Sequence, residues 1–364
     1  MVRLDLNNDS ARQIIVDKET GVYLGHVSTL QVDGGKAILA AYPKGHGSGQ
    51  IVMKRSEDGG ASWSPRLAVP DSFATSKETP TLFQVGKSDV GESLILFSGL
   101  YPIRAARSQD SGRTWSELAP IGEFGGIVAM GGLLETSKGE HAAFFHDDGR
   151  FFAANGKAAG TFTLYQTDSN DQGVTWSTPR SLWSGSDIHL CEPGVALSPD
   201  GSTIALLLRE NRRVKNSHIM FSTDKAATWS APRELPVFLT GDRHIAAYAK
   251  DGRLVITFRC AVKDDPWAGD WVAWVGDWDR IGQLAPKPAI SKGDASSSRK
   301  KYLVRLKDNL SAWDCAYAGL ESLADGTLVS TTYGTWIGGE KPFILSVRFT
   351  LAELDALADA ASSK

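Results

Sequence analysis

Four eight-residue segments with a shared pattern are the strongest constraint on how this chain can fold. They are Ser56–Trp63 (SEDGGASW), Ser108–Trp115 (SQDSGRTW), Ser169–Trp176 (SNDQGVTW) and Ser222–Trp229 (STDKAATW), and each is followed by Ser. Their starts lie 52, 61 and 53 residues apart, and recurrence at such a period indicates one structural unit used repeatedly. The Asp can bond its own downstream backbone, the Gly at the fifth position supplies a positive φ, and the Trp can pin the turn. An alternating strand precedes each octet, so the octet is predicted to link two antiparallel strands.

Six polar turns form a second repeat. Each precedes an apolar segment, and they are Asp33-Gly34-Gly35, Gly91-Glu92, Lys138-Gly139-Glu140, Asp200-Gly201, Asp251-Gly252 and Asp325-Gly326. Each turn is predicted to join two strands in a hairpin. Four hairpins lead to an octet, the fifth leads to Trp271–Asp279 (WVAWVGDWD), and the sixth leads to Pro342–Phe349 (PFILSVRF).

Six units of three to four antiparallel strands predict an all-β fold, a six-bladed β-propeller formed as a single domain by residues 1–364. The last blade is one strand short, and Arg12–Asp17 (RQIIVD) is predicted to complete it and close the ring. Leu351–Ala361 is predicted to form a short helix. A β-sandwich or β-helix is the alternative, although its repeats would be shorter.

Composition limits the function classes. The formal charge of −3 gives no bias toward binding nucleic acid. The sequence has no run of 18 apolar residues, so it predicts no membrane-spanning helix. Three cysteines do not make a disulfide framework. The N-terminal MVRLDLNNDS has no apolar signal region, so we expect a cytoplasmic protein unless a signal peptide has been removed, in which case it would be secreted or periplasmic. The oligomeric state is left open.

Polar and charged residues collect where a propeller would have one mouth of its axis. The start of each innermost strand and the end of its antiparallel partner lie at the same mouth. Innermost-strand starts carry His26, Lys77, Glu78, His189, Glu192, Arg243, His244, Asp314 and Tyr317. Second-strand ends carry Lys44, His46, Tyr101, His146, Asp147, Asp148, Arg209, Arg259 and Tyr333. Because the mouth of a propeller is exposed to solvent, some polar residues are expected there without any function. However, five of the seven histidines of the chain lie at this mouth, which favours a functional site.

The octets match Asp boxes, and over nearly its full length the chain resembles the sialidase (neuraminidase) superfamily of BNR-repeat propellers. Glu192-Pro193, followed by Asp200-Gly201 and Arg209, is similar to the sialidase segment with a glutamate and a substrate-binding arginine. Ala316–Gly326 (AYAGLESLADG) is similar to the segment with the nucleophilic tyrosine, which would be Tyr317. The resemblance implies a Tyr317–Glu192 pair in the active site.

Three positions depart from the sialidase pattern. Gly25-His26-Val27-Ser28 stands where sialidases have Arg-Ile-Pro, and the following loop GHGSG offers His46 where they have an acid/base aspartate. The third family arginine has only Arg243 and Arg259 as stand-ins. We therefore expect little turnover of common sialosides, and the histidines are more similar to those of propeller enzymes acting on uronate- or rhamnose-containing glycans.

The sequence predicts an exo-acting glycoside hydrolase that acts on an oligosaccharide or polysaccharide with an acidic sugar. Tyr317, Glu192, His46 and His146 are the candidate catalytic residues, since histidine titrates near neutrality and suits acid/base work. The candidate substrate-binding residues are His26, Lys77, Glu78, Asp147, Arg209, Arg243, His244, Arg259 and Asp314, with the arginines as bidentate donors to a carboxylate in a cationic pocket. A polysaccharide lyase, in which His or Tyr abstracts the C5 proton of a uronate, and a non-catalytic glycan-binding propeller are the alternatives.

No cofactor or metal is expected. His146-Asp147-Asp148 offers ligand atoms without the spacing of a metal site. The sequence also lacks a phosphate loop, a zinc motif and a serine nucleophile elbow.

Overall fold

Six sheets surround a central axis in the computed structural model, which describes residues 1–281, 300–311 and 313–362. The N-terminal strands are β1 (Val2–Asp5) and β2 (Gln13–Asp17). Blade one contains β3 (Ser28–Val32), β4 (Ala37–Pro43) and β5 (Ile51–Ser56); blade two contains β6 (Thr81–Ser88), β7 (Gly91–Ser98), β8 (Arg104–Ser108) and β9 (Ala119–Pro120). Blade three contains β10 (Ile127–Ser137), β11 (Glu140–Asp147), β12 (Phe162–Ser169) and β13 (Arg180–Gly185); blade four contains β14 (Leu190–Leu197), β15 (Ile204–Glu210), β16 (His218–Ser222) and β17 (Arg233–Glu234). Blade five contains β18 (Gly241–Tyr248), β19 (Leu254–Cys260), β20 (Trp271–Gly276) and β21 (Tyr302–Lys307); blade six contains β22 (Gly319–Ser322), β23 (Thr327–Gly334) and β24 (Phe343–Thr350).

Helical structure is sparse. The helix α1 (Leu351–Ser362) follows the last strand, as predicted, and short 3-10 turns lie at Ser10–Arg12, Asp71–Thr75, Val237–Leu239 and Trp278–Arg280. Within the described ranges, no helix has the length and apolar character needed to cross a membrane.

The ring closes at both its inner and outer edges. Each innermost strand packs against the next, from β3 through β6, β10, β14 and β18 to β22, and β22 packs back against β3. At the rim β2 pairs antiparallel with β24, in the blade that the N-terminal segment was predicted to complete. One feature was not predicted: β1 adds a parallel fifth strand to blade five, with Val2 opposite Tyr302.

All six predicted hairpins are present, and each joins the innermost strand of a blade to its second strand. The octets link third and fourth strands in blades two, three and four, as predicted. In blade one the octet follows β5, and the chain after it bonds back to β5 through the Leu67 N–H and the Met53 carbonyl.

The first octet shows how the turn is held. The Ser56 hydroxyl donates to Asp58 and accepts from the Gly60 N–H at 2.8 Å, and Asp58 accepts from both the backbone N–H and the hydroxyl of Ser62. The other three octets repeat these bonds. The fifth residue has a positive φ in every copy, including Ala226 at 67°.

Each octet lies against the preceding blade, so the turns fasten neighbouring blades together. Trp176 of blade three contacts Phe97 of blade two edge-on, with ring centroids 5.5 Å apart, and Trp229 of blade four contacts Phe144 of blade three at 5.4 Å. In blade one, a Cβ on Gly60 would lie 2.9 Å from Val329 of blade six. The octets therefore contribute to closing the ring.

Candidate active site

Left-handed backbone occurs at or beside the start of most innermost strands. Five non-glycine residues there have positive φ: His26 (49°), Val128 (47°), Glu192 (51°), Arg243 (52°) and Ala316 (66°). The strand register also shifts beside Glu192 and beside Arg243. A bulge changes the direction of a side chain, and strain of this kind concentrates at functional sites. The backbone thus places unusual residues at equivalent points around one end of the axis.

Tyr317 and Glu192 are in direct contact across the axis. The Tyr317 hydroxyl donates to Glu192 Oε1, and Arg209 Nη1 donates to the same oxygen at 2.7 Å and to the tyrosine oxygen at 3.4 Å. Tyr317 is 8% exposed and Glu192 is 3% exposed. Among the described residues, nothing bonds the second carboxylate oxygen of Glu192.

The electrostatics of this pair assign the proton to tyrosine. Burial and the charge of Glu192 raise the pKa of Tyr317 well above its ordinary value. Burial opposes ionisation of Glu192, but Arg209 and the Tyr317 hydrogen bond outweigh it and lower the Glu192 pKa. The resting pair is therefore a neutral phenol bonded to a carboxylate, with a guanidinium beside both.

Asp242 joins three arginines. Its fully buried carboxylate pairs with Arg213 at 2.6 Å, with Arg259 at 2.6 Å and with Arg209 Nε at 3.1 Å. Burial alone would raise the pKa of Asp242, but the three guanidinium groups hold it well below its ordinary value. Since Arg209 also contacts Glu192, the network fixes that arginine against the Tyr317–Glu192 pair.

His26 also lies beside Tyr317. Its ring is 4.4 Å from the Tyr317 ring, stacks on Tyr333 at 4.7 Å and meets His46 edge-on at 4.7 Å, all between centroids. Its Nδ1 accepts from the Gly47 N–H at 2.9 Å, and its Nε2 lies 3.3 Å from the Tyr333 hydroxyl. Because burial lowers the pKa of His26 well below its ordinary value, the ring is neutral at neutral pH.

His46 is the accessible histidine of the group. Its side chain is 67% exposed, and its Nδ1 lies 2.8 Å from the Tyr23 hydroxyl and 3.3 Å from Asp314. The Tyr23 hydroxyl donates to Asp314 at 2.7 Å, so His46 Nδ1 is the donor to the tyrosine oxygen and Nε2 is left for another partner. The hydrogen bond with Asp314 raises the pKa of His46.

His146 and Glu78 are buried close to the same centre. His146 Nδ1 accepts from the Glu192 N–H at 3.3 Å, and burial lowers the pKa of His146 to about 4. The Glu78 carboxylate accepts from the N–H groups of Thr79 and Val128, and burial raises its pKa.

The remaining predicted site residues have other contacts. Asp147 accepts the N–H groups of residues 149, 151 and 152, which orders its own loop. His244 Nε2 bonds the Leu239 carbonyl at 2.9 Å, and Lys77 donates to the Tyr101 carbonyl at 3.3 Å. None of these three contacts the Tyr317–Glu192 pair through a bond among the described residues.

Two residues of the site were not predicted. Asp242 directly precedes Arg243, but the sequence gives no sign that its side chain meets arginines from two other strands. Tyr23 lies three residues before His26 in a segment without regular structure, so no strand pattern places it. In the described ranges no three His, Cys, Asp or Glu side chains are grouped to hold a metal ion.

Comparison with solved structures finds the same propeller fold. A protein of unknown function from Dyadobacter fermentans aligns with a TM-score of 0.67 at 14% identity, covering 93% of this chain and 97% of that chain. The NanB sialidase from Streptococcus pneumoniae aligns with a TM-score of 0.58 at 11% identity, covering 93% of this chain and 70% of that chain. The leech intramolecular trans-sialidase, complexed with 2,7-anhydro-Neu5Ac, aligns at 0.59 and 14% identity, covering 91% and 68%. At these identities the likeness establishes a sialidase-like fold.

Sequence comparison gives the family. No curated protein matches the chain. The model of the BNR repeat-like domain matches residues 66–314, which is more than half of the chain. The chain therefore belongs to the BNR repeat-like domain family.

Proposed function

We propose that the protein is an exo-acting glycoside hydrolase that cleaves a terminal acidic sugar from a glycan. The observation that carries the proposal is the buried contact between the Tyr317 hydroxyl and Glu192, supported by Arg209. A phenol next to a carboxylate can act as a nucleophile once its proton is taken. A neutral nucleophile also avoids repulsion with an anionic sugar, which a carboxylate nucleophile would not.

In the proposed reaction Tyr317 attacks the anomeric carbon while Glu192 takes the phenolic proton. The bond from the anomeric carbon to the leaving oxygen breaks, and that oxygen receives a proton from His46 Nε2. Water then enters, with His46 as the base, and Glu192 returns its proton to the tyrosine oxygen. This double displacement retains the anomeric configuration.

His46 is favoured over His146 as the acid/base residue. The His46 side chain is accessible, its Nδ1 is engaged by Tyr23 and Asp314, and its pKa is raised. A histidine oriented by a carboxylate on one nitrogen can exchange a proton through the other. His146 is buried, its pKa is about 4, and its Nδ1 accepts the Glu192 N–H.

The ion pairs of the arginines make the pocket less cationic than the sequence predicts. Arg209, Arg213 and Arg259 share Asp242, and Arg209 also pairs with Glu192, so two carboxylates offset only part of the three positive charges. Arg243 has no such partner among the described residues. We infer that recognition of the substrate carboxylate depends on the arrangement of these arginines. In the resembled family, an Arg-Ile-Pro arginine grips the carboxylate of a sialoside. This chain has His26 at that position, so we expect common sialosides to be poor substrates.

The test is a screen on acidic oligosaccharides, aryl-glycosides and a common sialoside. We expect release of free sugar without new ultraviolet absorbance, and little release from the sialoside. Tyr317→Phe should remove most of the activity and keep most of the binding. Tyr248→Phe is the matched control, because its hydroxyl bonds the Leu197 carbonyl and not the site.

Two outcomes would replace the proposal. An unsaturated, ultraviolet-absorbing product would identify a polysaccharide lyase, and binding without any turnover would identify a glycan-binding propeller. Full activity of Tyr317→Phe would remove the tyrosine from the mechanism.

A further inference from the structure

A cleft lies between blades four and five, at the end of the axis that carries the candidate active site. Its volume is about 800 Å³, within the range of about 300–1,000 Å³ that is typical of pockets for small molecules. Blade four supplies residues within 210–216, which follow β15, and blade five supplies residues within 261–268, which follow β19. Thr240, just before β18, and Trp313, before β22, also line it. The cleft is therefore large enough to hold one small ligand.

The cleft exposes large apolar side chains. Val214, Val237 and Trp313 line it and are 55%, 54% and 46% exposed. A cluster of exposed apolar side chains is an informative feature of a surface, because it marks a place where another molecule can bind. The Arg213 guanidinium lies 5.2 Å from the centroid of the Trp313 ring and holds the indole by a cation–π contact. Since nearly half of Trp313 remains exposed, the indole offers a flat apolar surface to a ligand.

Most polar groups along the cleft are already engaged within the protein. The Glu210 carboxylate accepts the backbone N–H groups of residues 189, 212, 214 and 215. Glu234 accepts from the Asn216 N–H at 3.2 Å and pairs with Lys215 at 3.5 Å, and the Asn216 amide donates to the Leu235 carbonyl. A sugar ring carries several hydroxyl groups that lose water on binding and need partners. This lining therefore suits an apolar ring better than a sugar.

Thr240 provides one buried polar group for a ligand. The residue is 8% exposed, and its hydroxyl has no hydrogen-bond partner in the part of the chain that the structure describes. A hydroxyl can both donate and accept, so it can bond a single oxygen atom on the ligand. Pockets for small molecules typically combine apolar walls with a few polar groups of this kind. The expected ligand is thus an apolar ring that carries one polar substituent.

The backbone around the cleft is strained at three places. Arg213, Asp264 and Trp313 line the cleft and have positive φ angles of 59°, 61° and 66°. This conformation is unfavourable for residues with a Cβ, and it concentrates at functional sites. The strain therefore supports a functional role for the cleft, independently of its shape.

Ion pairs connect the cleft with the candidate active site. Arg213 forms a bidentate pair with Asp242, at 2.7 and 2.6 Å. Asp242 also binds Arg209, the arginine beside the proposed nucleophile. Arg259, the third partner of Asp242, donates a hydrogen bond to the Trp313 carbonyl. The same network that organises the active site therefore also holds the aromatic wall of the cleft.

We propose that this cleft binds a planar apolar ring, stacked on Trp313. The source that we favour is the leaving group of the substrate, so that the protein removes an acidic sugar from an apolar aglycone. A free apolar ligand is the other source of the same chemistry. The aglycone assignment rests on the proposed function, whereas ring binding does not.

The test is titration calorimetry of the full chain with 2-naphthol, cyclohexanol and cellobiose. We expect 2-naphthol to bind, cyclohexanol to bind more weakly because it is not planar, and cellobiose not to bind. Trp313→Ala should weaken the binding of 2-naphthol by about tenfold, because both the stacking and the apolar contact are lost. Trp313→Phe should bind with intermediate affinity, because it keeps a smaller flat ring.

Leu310→Ala is the matched control. Leu310 is also apolar and is 57% exposed, but it does not line the cleft. This variant should bind 2-naphthol as the wild type does. Thermal unfolding without ligand separates binding from folding, and the Tm of each variant should stay close to that of the wild type, since both positions are exposed.

The source of the ring is tested on Tyr317→Phe, which should bind a substrate without turning it over. The probes are the methyl and 2-naphthyl glycosides of the acidic sugar that the hydrolase screen identifies. If the cleft holds the aglycone, the naphthyl glycoside should bind about tenfold more tightly than the methyl glycoside. Adding Trp313→Ala in the same background should remove that difference. Equal binding of the two glycosides would overturn the aglycone assignment and favour a free ligand.

Ring binding has its own contrary outcomes. Failure of the wild type to bind 2-naphthol, or unchanged binding by Trp313→Ala, would overturn the proposal. Binding of cellobiose in place of 2-naphthol would identify a sugar subsite and would overturn it as well. Because ring binding requires no turnover, a failure of the hydrolase assay would remove the aglycone assignment and leave the ring site standing.

Discussion

Replacing Asp242 with Asn tests whether the arginine network is held by one buried carboxylate. The carboxylate is fully buried, and its partners Arg259, Arg209 and Arg213 have side chains that are 6%, 17% and 33% exposed. Asp242→Asn would leave three guanidinium groups facing a neutral amide. Removing one partner of a buried ion pair costs about 3–5 kcal/mol, and we expect a loss of that size in the free energy of unfolding.

The assay is urea unfolding at pH 7 of the wild type, Asp242→Asn and Asp5→Asn. Asp5 also pairs with an arginine, Arg305, but its side chain is 40% exposed, and a surface pair of this kind contributes about 0–1 kcal/mol. The two variants make the same chemical change, so the difference between them measures the combined effect of burial and of the two additional arginine partners. A loss below 1 kcal/mol in Asp242→Asn would refute the assigned role of the network.

The same pair of proteins gives a pH signature. The pKa of Asp242 is lowered in the folded state, so its contribution to stability is present above the unfolded pKa and is lost as the pH falls through the folded pKa. The stability difference between the wild type and Asp242→Asn should therefore persist at pH 5 and shrink only in stronger acid. A difference that disappears between pH 7 and pH 5 would contradict the ion-pair explanation.

Three further predictions concern the turns, the acid/base group and ring closure. Gly173→Ala should lower the free energy of unfolding by about 1 kcal/mol, because the residue has a positive φ. Gly112→Ala should lower it by about 3 kcal/mol, because its Cβ would in addition lie 2.2 Å from a leucine methyl of the preceding blade. Urea unfolding midpoints measure both losses. His46→Gln should lower kcat by about 10²–10⁴-fold and remove the alkaline limb of the pH–rate profile, because the pKa of His46 is raised and the general acid loses its proton above that pKa. An unchanged alkaline limb would mean that another group is the acid. Deletion of residues 1–17 should lower the Tm and expose the amides of blades five and six to hydrogen exchange first, because β1 pairs with β21 and β2 pairs with β24. Uniform exchange in all blades would contradict this.

The fold could be predicted from sequence because its signals are local and repeated. Each octet carries its own hydrogen-bond donors and acceptors within eight residues, and each hairpin turn is marked by glycine or by a short polar segment. The closure by Arg12–Asp17 was predicted by counting the strands in the last blade. The parallel pairing of Val2–Asp5 with Tyr302–Lys307 was not predictable in this way, because it is a single contact across 300 residues with no repeat to reveal it.

The site was predictable in outline and not in its contacts. The positions of strand ends predicted Glu192, Arg209 and Tyr317 at one mouth, and the structure brings the three into direct contact. The alternation of a regular strand fails at Asp242 and His244, because the register shifts between Asp242 and Ile245. Asp242 was therefore not among the predicted site residues. His244 was expected at the mouth, although its ring nitrogen bonds the backbone carbonyl of Leu239.

The left-handed residues explain how a repetitive scaffold holds an irregular site. Placing a non-glycine residue in this conformation costs about 1–2 kcal/mol, and His26, Glu192 and Arg243 each adopt it at corresponding points of three blades. Strain of this size persists only where the surrounding structure determines the backbone. At two of these residues side-chain contacts supply such structure, because His26 accepts from the Gly47 N–H and Glu192 accepts from Tyr317 and Arg209. Loss of these contacts should therefore disturb the backbone geometry at the axis.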